Sequence, residues 1–263
     1  MASSAERLLI AAELWKARRD RTTIRPPSTR FDFNLDDGYA VSANVYARRI
    51  EAGARRAGLK IGFTNTAVWA SLGLGEPICA VVYDTSVRDA DARTETVVDI
   101  APFVAPKIEP EIVLGIASNG VAWWALGFEI VDCHYPAWTM TPADALADGG
   151  VHGALVIGAR IPLATDAHAL RSPFRIELER NDRSYEASTT SAVLGGPLQA
   201  LERATAICAN GGILISPQPG DVVTTGSLTS APLVAVGETW TVRAERDAPP
   251  LRIRVRSSVR TSR

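Results

Sequence analysis

The sequence predicts an α+β fold: a helical N-terminal part (1–58) packed on a β-rich body (59–263), in a single domain. Two observations predict it. Leu8, Leu9, Ala12 and Trp15 recur at helical spacing within residues 4–20. After Gly58 the texture changes to short runs rich in β-branched and aromatic residues, which only two helical stretches interrupt.

Taken in order, the amphipathic helix over 4–20 is broken by "RPPSTRFDF". Asp36 and Asp37 then cap a second helix through "YAVSANVYARRIEAGARRAG", which ends at Gly58. Strands are expected in "KIGFT", "ICAVVYDTSV", "TETVVDI", "KIEPEIVLGIA", "VAWWALGFEIVD", "HGALVIGARI", "FRIELER", "RSYEAST", "DVVTTGSL", "ETWTVRAE" and "LRIRVR". Helices are expected in "TPADALADGG" and in "PLQALERATAICANGG", whose Gly211 and Gly212 act as a stop. Asn181-Asp182 marks a hairpin turn, and Leu251, Ile253 and Val255 alternate with arginines as in a final half-buried strand. Trp123-Trp124 would place one ring on each sheet face or in a subunit contact.

With 46% hydrophobic and 22% charged residues over 263 positions, the chain has an ordinary globular balance. Its net charge of -1 and the lack of a basic cluster argue against nucleic acid or an anionic membrane surface as partner. Cys79, Cys133 and Cys208 are odd in number and lack metal-type spacing, as expected in a reducing compartment. No signal-peptide core opens the sequence, Glu6 and Glu13 disfavour a transit peptide, and no apolar run approaches the ~20 residues of a membrane span. A cytoplasmic, soluble protein is expected.

The segment "PKIEPEIVLGI" carries the chemistry. Residues two apart on a strand share a face, so Glu109 and Glu111 project together, among apolar Ile108, Ile112 and Leu114. Burying both uncompensated costs several kcal/mol, so a cation or a raised pKa is expected; an exposed strand face is the alternative. "LGFEIVDC" brings a third acid, Glu129, after the turn signal "ASNGV". A three-residue loop over 118–120 sets Glu129 across from Glu109, whereas a two-residue Asn-Gly loop sends it to the other face. Three converging carboxylates without His or thiolate partners form a hard oxygen site suited to Mg²⁺ or Mn²⁺.

"KIEPEIVL" followed by "EIVDCHYPAW" resembles the 2-hydroxypenta-2,4-dienoate (2-keto-4-pentenoate) hydratases and the related 4-oxalocrotonate decarboxylases of the fumarylacetoacetate hydrolase superfamily. "DDGYAVSANVYARRI", "LKIGFTNTAVWASLGLGEPICAVVYD", "LGGPLQALERATAICANGG" and "PGDVVTTGSLTSAPLVAVGETWTV" agree in order, so the resemblance covers nearly the whole chain. It implies a β-rich superfamily fold and a divalent metal held by Glu109, Glu111 and Glu129. It also implies acid–base roles for Lys60 and Asp84, and substrate contacts from Thr64, Ser227 and Thr229. Read without it, Lys60 fits an exposed strand start and Asp84 a capping or turn position. Two departures stand out. A tight turn replaces roughly a dozen residues that family members carry between the second and third acids. "ADGGVHG" at 147–153 stands where the hydratases often read "ADNAS".

The implied activity is metal-dependent hydration of a 2-hydroxy-2,4-dienoate in the catabolism of aromatic or related compounds. The alternatives are decarboxylation of a 2-oxo-3-enedioate or an inactive structural partner of such an enzyme, the last disfavoured by Lys60 standing with all three glutamates. A homo-oligomer is expected, with a pathway enzyme as a further partner. Asp132 reads as a salt bridge or a support to Glu129, and His134, His152 and His168 show no ligand spacing. "GGILISPQPGDV" lacks the Lys-Ser/Thr of a phosphate loop.

Overall fold

The computed structural model describes residues 1–91, 95–163, 170–209 and 216–258. Gly211, Gly212 and His168 lie outside the described residues. Helix α1 (Ser4–Asp20) starts in a capping box: Ser3 accepts from the Glu6 amide while Glu6 reaches back to the Ser3 amide. Its buried stripe is Ile10, Ala11, Leu14 and Ala17, not the expected one; Leu8 and Leu9 are 52% and 49% exposed. Both stripes have helical spacing, and packing against the second helix chooses between them.

Helix α2 (Leu35–Glu51) corrects the sequence expectation at both ends. Asn34 is its cap, and Asp37 sits three residues in, as the reciprocal member of a capping box. Asp37 is fully buried and also takes Arg7 at 2.7 Å, which ties α1 to α2. The helix stops at Glu51 instead of Gly58, because Arg56–Gly62 becomes strand β1. A Cβ on Gly58 would lie 1.8 Å from the Val222 carbonyl oxygen. That close pairing claims a segment whose local composition favours helix. The four-residue α3 (Trp69–Leu72) and the buried α4 (Pro142–Ala147) follow, α4 packing on α2. α5 (Pro197–Ala209) closes the helical set among the described residues.

Among the described residues the strands form two sheets. The first contains β1, β2 (Ile78–Tyr83), β3 (Val87–Asp89), β5 (Lys107–Ala117), β6 (Gly120–Val131), β7 (His152–Ile157), β8 (Ile161–Pro162) and β11 (Val222–Thr224). Its order is β2-β1-β11-β5-β6-β7-β3, with β8 also on β6. The second contains β4 (Thr96–Asp99), β9 (Arg175–Arg180), β10 (Arg183–Thr189), β12 (Thr239–Ala244) and β13 (Leu251–Arg256), in the order β10-β9-β12-β13-β4. The expected hairpin at Asn181-Asp182 joins β9 to β10, both turn residues having positive φ (51° and 61°).

The main core lies between the sheets. Leu59, Ile61, Ile108, Ile112, Leu114, Phe128 and Ile130 from the first meet Ile176, Leu178, Trp240, Val242 and Ile253 from the second. Strand alternation sends the intervening residues of β1, β5 and β6 to the opposite face, where Val131 packs with α1, α2 and α4. Trp124 turns inward to Phe174 and Trp123 outward beneath Arg160, one ring per face as expected. Among the described residues no helix is long and apolar enough to cross a membrane.

Candidate active site

The helix-side face of the first sheet carries Lys60 on β1, Glu109 and Glu111 on β5, and Glu129 on β6. Glu109 pairs directly with Glu129, as the sequence reading required, although the turn differs from the expected three-residue loop. Ala117 pairs with Gly120, so the chain reverses over Ser118 and Asn119, and that register alone would oppose Glu109 to Phe128. A β-bulge restores it: Gly115 pairs with Trp123 and Ile116 with Val121, leaving Ala122 unpaired. The Ala122 carbonyl accepts instead from the Leu163 amide at 2.9 Å.

The three glutamates each offer a carboxylate oxygen within 4.8 Å of the others. Glu111 and Glu129 are fully buried, while Glu109 is partly open to the pocket. Glu111 Oε2 accepts from the Gly226 amide at 3.0 Å, but Oε1 has no hydrogen-bond partner. Glu129 Oε2 lies 2.9 Å from the Lys60 ammonium without a well-aligned hydrogen bond. An orphaned buried oxygen beside two more carboxylates is what a hard divalent cation satisfies, and the all-oxygen donor set fits Mg²⁺ or Mn²⁺.

Electrostatics separate the acids. Burial pushes Glu109 up to about 7 against the pull of Lys60. Burial, with the charges of Glu129 and Glu109, raises Glu111 well above the usual range. Burial acts on Glu129 too, but Lys60 and the hydrogen bond from His152 outweigh it and bring that carboxylate down to about 2. Burial disfavours the Lys60 charge, yet Glu129, Glu109 and Glu111 together hold the ammonium above its ordinary value.

Above this cluster opens a cavity of about 550 Å³ lined by Lys60, Thr64, Glu109, Ser227 and Thr229, with Val68, Trp138 and Met140 as apolar wall. Thr64 packs so closely on Gly226 that a Cβ there would lie 2.0 Å from Thr64 Oγ1. Ser227 Oγ donates to the Thr229 carbonyl at 2.9 Å, and Thr229 Oγ1 to that of Ser230. Asp84 is the expected site residue that the fold does not bring here. Ile78, at the start of β2, lines the cavity, whereas Asp84 follows the far end of the strand, roughly 20 Å away at ~3.3 Å per residue. There Asp84 accepts from the Arg55 amide and guanidinium, each at 2.9 Å.

Asp132 accepts the Val104 and Ala105 amides, both at 2.9 Å, and His134 pairs with Asp148; neither lines the cavity. The residue that sequence reasoning missed is His152. Its Nδ1 stands 2.6 Å from Glu129 Oε1, with Ser86 Oγ 2.8 Å from Nε2. No ligand spacing announces it, because the contact depends on the pairing of β7 with β6. Glu186 also went unforeseen: it lines the cavity and accepts from the Ser230 amide at 3.1 Å.

A model of the fumarylacetoacetate (FAA) hydrolase C-terminal family matches residues 98–256, which span the acid cluster and the second sheet. The chain belongs to the fumarylacetoacetate hydrolase family. Its similarity to the family's curated members extends beyond that segment. The chain is 30% identical over 213 residues to a 4-oxalocrotonate decarboxylase from a Pseudomonas species, covering 76% of this chain and 78% of the relative. It is 29% identical over 252 residues to 2-keto-4-pentenoate hydratase 2 of Dechloromonas aromatica (strain RCB), covering 89% and 92%. In fold, this FAA hydrolase family member matches the 4-oxalocrotonate decarboxylase of Pseudomonas putida G7 complexed with magnesium and adipate, with a TM-score of 0.88 at 23% identity over 97% of this chain and 99% of that one.

Proposed function

We propose that this chain is a metal-dependent hydro-lyase that adds water to a 2-hydroxy-2,4-dienoate, giving a 4-hydroxy-2-oxo acid, in the catabolism of aromatic or related compounds. Relatives named 2-keto-4-pentenoate hydratase and the three-carboxylate cluster support it. The observation that carries the choice of substrate is that Lys60 is the single cation among the described residues lining the cavity. A substrate with one carboxylate finds its counter-charge in Lys60 and in the cation that the acid cluster would hold, and needs no other. A 2-oxo-3-enedioate would bring a second carboxylate to a wall of Val68, Trp138, Met140 and Glu186, at the cost of an unpaired charge. Decarboxylation of such an enedioate is the second reading, favoured by the relatives named 4-oxalocrotonate decarboxylase.

Glu109, Glu111 and Glu129 would hold Mg²⁺ or Mn²⁺. When bound, the ion would polarise the substrate's C2 oxygen and stabilise the enolate character of the reacting acid. Lys60, kept as an ammonium by the surrounding glutamates, carries the proton that hydration must deliver to the carbon chain. The Thr64, Ser227 and Thr229 side chains contact the substrate, and the apolar wall excludes bulk water from its tail. Asp84 has no part in this scheme. An inactive partner would have no use for Lys60 placed within reach of Glu129.

Three free, buried cysteines agree with a reducing, cytoplasmic setting, and a homo-oligomer with a pathway partner enzyme remains part of the proposal. The deciding experiment offers 2-hydroxypenta-2,4-dienoate and 2-oxo-3-hexenedioate separately with Mg²⁺, identifying products by mass. Gain of water by the first is the expected result. Loss of CO₂ from the second without hydration of the first would replace the proposal by the decarboxylase reading.

A further inference from the structure

His152 owes its position to a second register device. Glu129 pairs with Leu155 and Ile130 with Ala154, but Val131 pairs with His152, so Gly153 is the extra residue of a bulge. His152 and Leu155 are three apart and would fall on opposite faces of a regular strand. The bulge turns His152 onto the face of Val131 and Glu129. Gly153 is required for it, since a Cβ there would lie 2.7 Å from the Ile130 carbonyl oxygen and 3.1 Å from the Phe103 ring.

The approach to His152 is strained and anchored. Gly149, Gly150 and Val151 all have positive φ (66°, 65° and 53°), and Val151 is β-branched, the residue type that tolerates this region least. Asp148 pins the start of the segment through His134 at 2.9 Å. Arg18 on α1 holds its end by donating to the His152 carbonyl at 3.0 Å. The imidazole is 3% exposed and lies outside the lining of the large cavity, behind Glu129. A carboxylate only accepts, so Nδ1 carries the proton in the 2.6 Å contact with Glu129 Oε1.

We propose that His152 is a positioning residue for Glu129: it engages Oε1, fixes the plane of the carboxylate, and leaves Oε2 facing Lys60 and the metal centre. The inference rests on the reading of the three glutamates as metal ligands. A carboxylate without this bond would have a second orphaned oxygen in a dry site and would turn to find a partner. Outer partners of metal ligands typically change affinity by about 10–100-fold when removed.

The test is Mn²⁺ binding, read from the electron paramagnetic resonance of free Mn²⁺ during titration of the metal-free protein, with no turnover involved. His152→Phe, which keeps the ring and removes the donor, should weaken binding about 10-fold or more. His152→Asn, whose side-chain amide donates from nearly the same place as Nδ1, should stay within about threefold of the wild type. Wild-type affinity in His152→Phe overturns the role, as does an equal loss in both variants, which would mark His152 as packing. If His152→Phe does not fold, His152→Leu, which is smaller and likewise lacks the donor to Glu129 Oε1, is titrated in its place, and wild-type Mn²⁺ affinity there overturns the proposal. A wild type that binds no Mn²⁺ removes the centre itself, and with it any such role.

Discussion

Glu109 and Glu129 stand opposite each other on β5 and β6 because β6 carries one residue more than β5 between the turn and the acids. Without the bulge at Ala122 the partner of Glu109 would be Phe128, and Glu129 would face the core between the sheets. The acid cluster is thus a product of strand register, and burial there holds Glu109 and Glu111 above their ordinary pKa. Four consequences can be measured.

Glu111→Gln should stabilise the metal-free protein by about 1–3 kcal/mol, because it removes a buried carboxylate crowded by two others. The wild type should gain about 2.7 kcal/mol when Mg²⁺ is a hundredfold above its Kd. The variant should lose that gain, so added Mg²⁺ closes or reverses the difference in stability. Thermal unfolding of both proteins with and without Mg²⁺ checks this; a full Mg²⁺ response in Glu111→Gln would exclude Glu111 as a ligand.

Lys60→Met keeps the apolar stem and removes the charge. Turnover should fall by roughly 10²–10⁴-fold, the usual range for a lost general acid or base. Mn²⁺ affinity should hold or rise, since a cation 2.9 Å from Glu129 competes for the same negative field. Steady-state kinetics paired with Mn²⁺ titration separates the two effects. Weakened binding with normal turnover would assign Lys60 to the metal site alone.

Glu186 lines the cavity and bonds the Ser230 amide through its carboxylate oxygens. Glu186→Gln keeps an acceptor for that amide but removes the negative charge. The ratio of kcat/KM for a dicarboxylate over a monocarboxylate should rise about tenfold, corresponding to relief of about 1.4 kcal/mol of like-charge repulsion. An unchanged ratio would mean that the distal end of the substrate does not approach Glu186.

Asp148 anchors the segment that leads to His152. Burial alone would raise its pKa, but the His134 interaction and Arg18 outweigh burial and hold it below the usual value. Its contribution to stability is therefore present above the unfolded-state value near ~3.9 and is lost as the pH falls through the lower folded-state value. Asp148→Asn should cost about 3 kcal/mol at pH 6, and the deficit should shrink below about pH 4. Denaturant unfolding of both proteins at pH 6 and pH 3 measures it; an equal deficit at both would show that the carboxylate charge is not what stabilises the segment.

Much of the fold was legible in local pattern. The span of α1 follows from the helical spacing over residues 4–20, and the strand alternation in "LRIRVR" buries Leu251, Ile253 and Val255 as read. What failed, failed where a distant segment decided. The end of α2 was misplaced because β11 takes Gly58 into a parallel pair, and the buried face of α1 because α2 selects one of two equivalent stripes. A site role for Asp84 came from the family resemblance alone; it follows the end of an apolar strand whose other end, at Ile78, is the one that reaches the cavity.

The sequence by itself determined the two periodicities, the span of the first helix, the turn at Asn181-Asp182, and the placement of Glu109 and Glu111 on one strand face. Each is set within a few residues by backbone sterics and side-chain spacing. Tertiary structure alone decided that Glu129 and His152 join them. Both depend on bulges, at Ala122 and Gly153, that shift pairing by one residue. A one-residue shift exchanges the faces of a strand, so whether these side chains meet is settled by which register buries the apolar residues of neighbouring strands, not by spacing along the chain.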